Sequence, residues 1–374
     1  MESLRAAFAE NFATHGEIGA SVSVWREGAE IVSLAEGWED RQQTKPWTEN
    51  SRVLVWSATK GPAAACVLHA MQEHGISLET RVAEVWPEFA QAGKDRVTLG
   101  EALSHQAGVP ALDAKPFLLE HDAVAAAIAA QAPLWPLGTG QGYSPRAHGA
   151  LLEELVRRIT GQTLGIYWRT VFAEPLGLDF WIGLPAELQG SVASVFPAKG
   201  GLPKDDPFYD AYQKLGTLTQ RAFASPAGFG SVSQMNSPEA RGASLPAHGG
   251  IGTARALAKF YAMLAAGGSL GGRRYFSERT LEWMWTPLTQ KADAVLLKEI
   301  AFSAGFMLDP VRDGKKLRQL FGPGLRAFGH PGAGGSHAFA DPDRRISFAY
   351  VMNQMEPGVL PLGKGQRLVA ALME

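Results

Sequence analysis

An α+β fold is predicted by three features of the 374-residue chain: alternating apolar runs near both termini, helical periodicity through the middle, and no internal repeat or low-complexity tract. A sheet domain is therefore expected from residues 1–84 and 251–374, with residues 85–250 forming a mainly helical region between its halves.

The elements follow in order. Residues 2–14 set Leu4, Phe8 and Phe12 at helical spacing, and "ATHGEIG" ends that helix. "GASVSVWREGAEIVSLAEGWED" carries two alternating runs around "REGAE", the pattern of a β-hairpin. In "VLVWSATKGPAAACVLHAMQEHG", residues 53–75, an apolar β-rich run leads into a helix bearing Ala63, Ala64, Val67, Ala70 and Met71, which Gly75 stops. From about 85 to 185 the pattern is helical, in "VTLGEALSHQAG", "HDAVAAAIAAQ", "PRAHGALLEELVRRITG" and "LGIYWRTVFAEPLG". Residues 190–250 are rich in Gly, Pro and Ser without clear periodicity, and so long a loop in a compact protein is expected to form a lid or cleft rim. Helical signal returns at "GTARALAKFYAMLAAGG" and "SERTLEWMWTPL"; "FSAGFMLD", "AFGHPGAGGSHAFADP" and "RISFAYVMN" then read as strands, and "GQRLVAALM" as a closing helix.

Composition narrows the function. The chain is 46% hydrophobic and 19% charged, and 35 Lys+Arg against 37 Asp+Glu leave no basic footprint for nucleic acid. No apolar stretch of about 18 residues predicts a membrane span. The N-terminal segment lacks the basic-then-apolar order of an export signal. Cys66 is the only cysteine, sits at an apolar helical position and fits a small core residue in a reducing compartment. A soluble cytoplasmic protein acting on a small molecule is expected, with no nucleic-acid or membrane partner; oligomeric state is not legible.

The candidate chemistry begins at Ser57-Ala58-Thr59-Lys60. A serine hydroxyl is a poor nucleophile without an adjacent base, and a lysine three residues on lies on the same helical face. Burial would have to lower its pKa before it could take a proton. The alternative is a helix cap beside a solvated lysine. In "QGYSPRAHGALLEELVRRITG", Tyr143 occupies a turn before an amphipathic helix, where it can offer its phenol to a cleft or simply pack the turn. In "FGHPGAGGSHAFA" a glycine-rich strand would let substrate approach the backbone, or else mark a bulge or edge strand.

Other features carry less. Gly267-Gly268-Ser269-Leu270-Gly271 matches G-x-S-x-G, but a helix precedes it and a turn follows, the reverse of a nucleophile elbow. His105 and His248 fall at loop or helix-end positions and read as structural, with His248 also placed to line a cleft rim. No paired Cys/His spacing predicts a metal, no phosphate loop is present, and no cofactor is implied. Trp135, Phe208, Tyr209 and Phe229 are candidates for an apolar acyl pocket, with core packing as the alternative for each.

Taken together and in order, Ser57-x-x-Lys60, Tyr143-Ser144 and His330-Pro331-Gly332 resemble the serine β-lactamase-like superfamily, from roughly residue 15 to 355. The class C-like enzymes and family VIII carboxylesterases are the nearest in pattern. The resemblance implies a β-lactamase/transpeptidase-like fold, mainly antiparallel, with the site between sheet domain and helical region. It implies Ser57 as acylated nucleophile. Lys60 would hydrogen-bond it and share the base role with Tyr143, which would also protonate the leaving group. The backbone N–H groups of Ser57 and Ala333 would form an oxyanion hole. His330, Gly332, Pro145 and His248 would contact substrate.

Two departures matter. His330-Pro331-Gly332 stands where Lys-Thr-Gly is usual, and Pro145 replaces an Asn that would contact a substrate amide. Both favour esters over penicillin-type amides. A serine esterase cleaving small or short-chain carboxylic esters is therefore expected. The alternatives are an acyltransferase using the same acyl-enzyme, an enzyme hydrolysing β-lactams, D-amino-acid peptides or small amides, and an inactive ligand-binding relative.

Overall fold

The computed structural model describes residues 1–203, 205–360 and 363–374. Among them, an antiparallel eight-stranded sheet draws on both ends of the chain. The hairpin Gly19–Arg26/Ala29–Gly37 forms as expected, its two-residue turn setting Glu27 and Gly28 at φ 52° and 81°, the doubly left-handed turn that matches strand twist. Gly19–Arg26 also pairs with Ile346–Met352, from Ala20 opposite Met352 to Arg26 opposite Ile346. Across the sheet follow His337–Asp341, Phe328–Pro331, Met307–Leu308, Glu299–Phe302 and Thr289–Ala292.

Both faces are covered. Alternation sends Phe348, Tyr350 and Met352 toward the terminal helices Glu2–Thr14 and Lys364–Met373, and Ala349 and Val351 toward the opposite core. Small side chains there (Ala338, Ala340, Ala349) let the helix Ala254–Ala265 pack closely. The helix Lys60–Glu73 sits in the same core, and Cys66 lies buried within it. Lys364 Nζ meets Glu17 Oε1 at 3.0 Å, and Tyr350 donates to the same carboxylate, tying both terminal segments to the sheet.

Three expectations are corrected. "FSAGFMLD" is two short strands, because Ser303–Phe306 forms a tight turn about Gly305. The segment 327–342 is likewise two strands, separated by a 3₁₀ turn over Ala333–Gly335. Residues 190–250 are not irregular throughout: Pro207–Gln213, Leu218–Ala224, Val232–Met235 and Pro238–Gly242 are short helices, capped by Asp206, Thr217, Ser231 and Ser237. Their capping hydroxyls and carboxylate satisfy first-turn N–H groups, so the helices form without long periodic stretches. A small sheet joins Val53–Leu54, Gly250–Gly252 and Phe180–Ile182, setting the start of the Ser57 segment against the end of the inserted region.

Candidate active site

The Ser57 segment is fixed from both sides. Val55 N donates to Gly250 O at 2.9 Å, and Gly250 N to Thr59 Oγ1 at 2.8 Å. Between these bonds Trp56 is held at φ 51°, a left-handed conformation that costs an aromatic residue about 1–3 kcal/mol. The chain then makes a 3₁₀ turn, Trp56–Thr59, before the α-helix starts at Lys60. Ser57 thus lies one turn before the α-helix proper.

Lys60 is fully buried, and its Nζ donates to Pro145 O at 3.0 Å and Ala247 O at 2.9 Å. The expected hydrogen bond from Lys60 to the Ser57 hydroxyl is absent among the described residues; the two carbonyls hold the amine instead. Burial alone pulls the Lys60 pKa well below its ordinary value, since desolvation penalises the ammonium.

Tyr143 is 4% exposed, and its backbone N–H donates to both carboxylate oxygens of Asp293, at 3.1 and 2.9 Å. Its ring stacks on Phe302 and His330 and meets His105 edge-on, and Lys60 Nζ lies 5.0 Å from its centre. Burial raises the phenol's pKa; the neighbouring Ser57 hydroxyl opposes that shift. Burial likewise keeps the imidazoles of His105, His148, His248 and His330 well below their usual pKa, helped by the charge Lys60 would carry. The imidazoles are therefore neutral near pH 7 and the tyrosine keeps its proton, while burial favours the unprotonated amine of Lys60.

The third segment approaches from the sheet. A Cβ on Gly332 would lie 2.2 Å from Val55 O, so only glycine lets this strand end press against the Ser57 turn. Ala333 opens the next 3₁₀ turn and faces the same cavity as Ser57. Each residue lies at the start of a 3₁₀ turn, where N–H groups have no partner within the turn. Two such donors can meet one oxygen.

That cavity, about 270 Å³, is walled by aromatic side chains, among them Phe208, Tyr209, Tyr212, Phe223 and Phe229. Pro145 and His248 line it, and both ring nitrogens of His248 lack partners among the described residues. His330 and Gly332 do not reach its wall: His330 turns into the core against Tyr143, with Nδ1 2.7 Å from Pro331 O, and Gly332 packs on Val55. Trp135 lies elsewhere, covering Gly140 and Gly142 with its indole donating to Gln106 O. His105 accepts from Ser144 N at 3.3 Å and supports the Tyr143 turn. Ser269 sits in a short hairpin away from this cavity. Sequence reasoning missed Asp293, Ala247 and Arg146, which act through carbonyls and backbone amides and leave no motif. Among the described residues no group of acidic, His or Cys side chains could hold a metal ion, and no helix is long and apolar enough to cross a membrane.

Comparison with known proteins gives a consistent picture. The family model described as Beta-lactamase matches residues 4–372. Esterase/beta-lactamase LipL of Mycobacterium tuberculosis is 31% identical over 356 residues, spanning 93% of this chain and 80% of that protein. A penicillin-binding protein homologue from Caulobacter crescentus superposes with a TM-score of 0.87 at 35% identity, covering 99% of this chain and 96% of its own. A family VIII carboxylesterase structure gives the same four values, TM-score 0.87, 35%, 99% and 96%.

Proposed function

Because the chain belongs to the Beta-lactamase family, we propose that it is a serine carboxylesterase, cleaving small or short-chain esters through an acyl-Ser57 intermediate. The observation that carries this reading is Ser57 on the wall of an aromatic cavity, three residues before a fully buried lysine whose pKa burial lowers.

In this reading Ser57 Oγ attacks the ester carbonyl carbon while its proton passes to the Lys60 lone pair. Negative charge on the carbonyl oxygen is met by the N–H groups of Ser57 and Ala333, where losing one donor typically costs about 10²–10³ in rate. The carbon–alkoxy bond breaks, the leaving oxygen takes the Tyr143 proton, and the lysine ammonium restores it. Water then attacks the acyl-enzyme by the same proton path in reverse, releasing the acid and free Ser57. An alcohol in place of water would give a transferred ester. Because Tyr143 keeps its proton, its role is donor and relay, with Lys60 as the base.

Esters are favoured over amides for two reasons. The third segment offers a buried, neutral His330 instead of a cation for a substrate carboxylate. Pro145, on the cavity wall, has no side-chain amide to offer. The names of LipL and the family VIII carboxylesterase support ester chemistry; LipL's name also carries β-lactamase. The test compares kcat/KM for p-nitrophenyl butyrate and nitrocefin. Turnover of the ester with little of the β-lactam is expected, and the opposite ranking would overturn the reading.

A further inference from the structure

Arg146 follows the Tyr143–Pro145 turn and precedes the helix Ala147–Thr160. It is 8% exposed, forms no ion pair among the described residues, and lines the same cavity as Ser57. Burial draws its pKa down to about 10. A buried cation without a counter-charge is costly unless fixed dipoles replace its water. Here three carbonyls from one loop do so: Nε donates to Pro226 O at 2.9 Å, and the terminal nitrogens donate to Gly228 O and Phe229 O. These oxygens surround Phe229, whose backbone is held at φ 45° and whose ring lines the cavity. The loop's other side is tied to residues 116–118, with Ala227 N donating to Pro116 O at 3.0 Å and Leu118 N to Ala227 O at 2.8 Å. The Phe117 ring lies 5.8 Å from that of Phe229.

We propose that Arg146 is a specificity-determining residue: its fork clamps the Phe229 loop, fixing the width of the space that receives the acyl chain relative to the turn bearing Tyr143 and Pro145. The inference rests on reading Ser57 as the nucleophile. A guanidinium can satisfy three carbonyls in a fixed plane, whereas an ammonium is a point charge on a flexible stem. Arg146→Lys therefore keeps the charge and loses the clamp, which separates geometry from field.

The test is the rate at which ethyl and octyl fluorophosphonates label Ser57, followed by intact mass. The proteins are wild type, Arg146→Lys, Arg146→Met, Phe229→Ala, Phe117→Ala and the Arg146→Lys/Phe229→Ala pair, each checked by thermal unfolding. Both Arg146 variants should shift the octyl-to-ethyl ratio by about tenfold, in the direction of Phe229→Ala, with little further change in the pair. Phe117→Ala, which loosens the loop's other anchor at a half-exposed site, should move the ratio the same way and carries the test if the Arg146 variants do not fold. The inference is overturned if the ratio stays at the wild-type value in the folded variants, if Arg146→Lys restores it, or if the two substitutions simply add. A wild-type protein that neither probe labels overturns the nucleophile reading itself, and the clamp with it.

Discussion

Lys60 Nζ donates to the carbonyl oxygen of Ala247 at 2.9 Å, tying the first turn of the buried helix to a loop 187 residues further along the chain. A second N–H goes to Pro145 O at 3.0 Å. A neutral amine has two N–H groups and one lone pair. In the proposed mechanism both N–H groups of that neutral amine are held by these carbonyls, which leaves its lone pair to accept the Ser57 proton. Two distant backbone segments thus fix the amine that the S-x-x-K spacing supplies.

Lys60→Ala should lower kcat/KM by about 10³, within the usual range for general acid–base catalysis. In the proposed mechanism the active form is the neutral amine, so activity should be present above the folded-state pKa and lost as pH falls through it. Burial lowers that pKa, so the acidic limb should lie far below the pH where a free lysine titrates. A pH profile of kcat/KM, with partial rescue of Lys60→Ala by added primary amines, checks both points.

Gly149→Ala should impair turnover from outside the cavity that holds Ser57. A Cβ there would lie 2.6 Å from Ala247 N and 2.8 Å from Ala247 Cβ, so Ala247 must move and its carbonyl with it. A displacement near 1 Å at a catalytic group can cost about 10²-fold in rate. A kcat reduced by roughly that factor, with the far-UV circular dichroism of wild type, is the expected result.

Asp293→Asn should change how stability depends on pH. Asp293 accepts from Tyr143 N, Val295 N and Leu296 N, yet burial still raises its pKa to about 6 from 3.8. A raised folded-state pKa means the folded chain binds the proton more tightly. The contribution is fully present below 3.8 and is lost as pH rises through about 6, amounting to roughly 3 kcal/mol. Denaturant midpoints from pH 4 to 7 should show wild type gaining on the asparagine variant as pH falls.

Lys364→Met should destabilise the fold by about 3–5 kcal/mol, because it leaves the Glu17 carboxylate buried without its cation. Adding Glu17→Gln should recover part of that loss. Equilibrium unfolding of the single and double variants measures both effects.

Much of the fold was legible where local pattern and tertiary need agree. The Glu27-Gly28 turn, the amphipathic helix Ala147–Thr160 and the largely apolar strand Ile346–Met352 each declare themselves through period or turn chemistry. The helices of residues 207–242 were not, since none exceeds two turns; their caps, such as Ser231 with Gln234, were the available signal. In the site, Ser57, Lys60 and Tyr143 stand out because their side chains form motifs. Ala247, Gly149 and Asp293 do not, because a carbonyl, a missing Cβ and a backbone acceptor are roles that depend on which segments meet. His330 lies on the strand whose end meets the Ser57 turn, but its ring stacks on Tyr143 and does not reach the cavity.

The most direct measurement is intact-protein mass after incubation with a fluorophosphonate, for wild type and Ser57→Ala, followed by peptide mapping. A single adduct on Ser57 in wild type, and none in the folded Ser57→Ala protein, is the predicted result. An unlabelled wild type, or equal labelling of both, would mean that Ser57 only begins a helix and that no acyl-enzyme forms there.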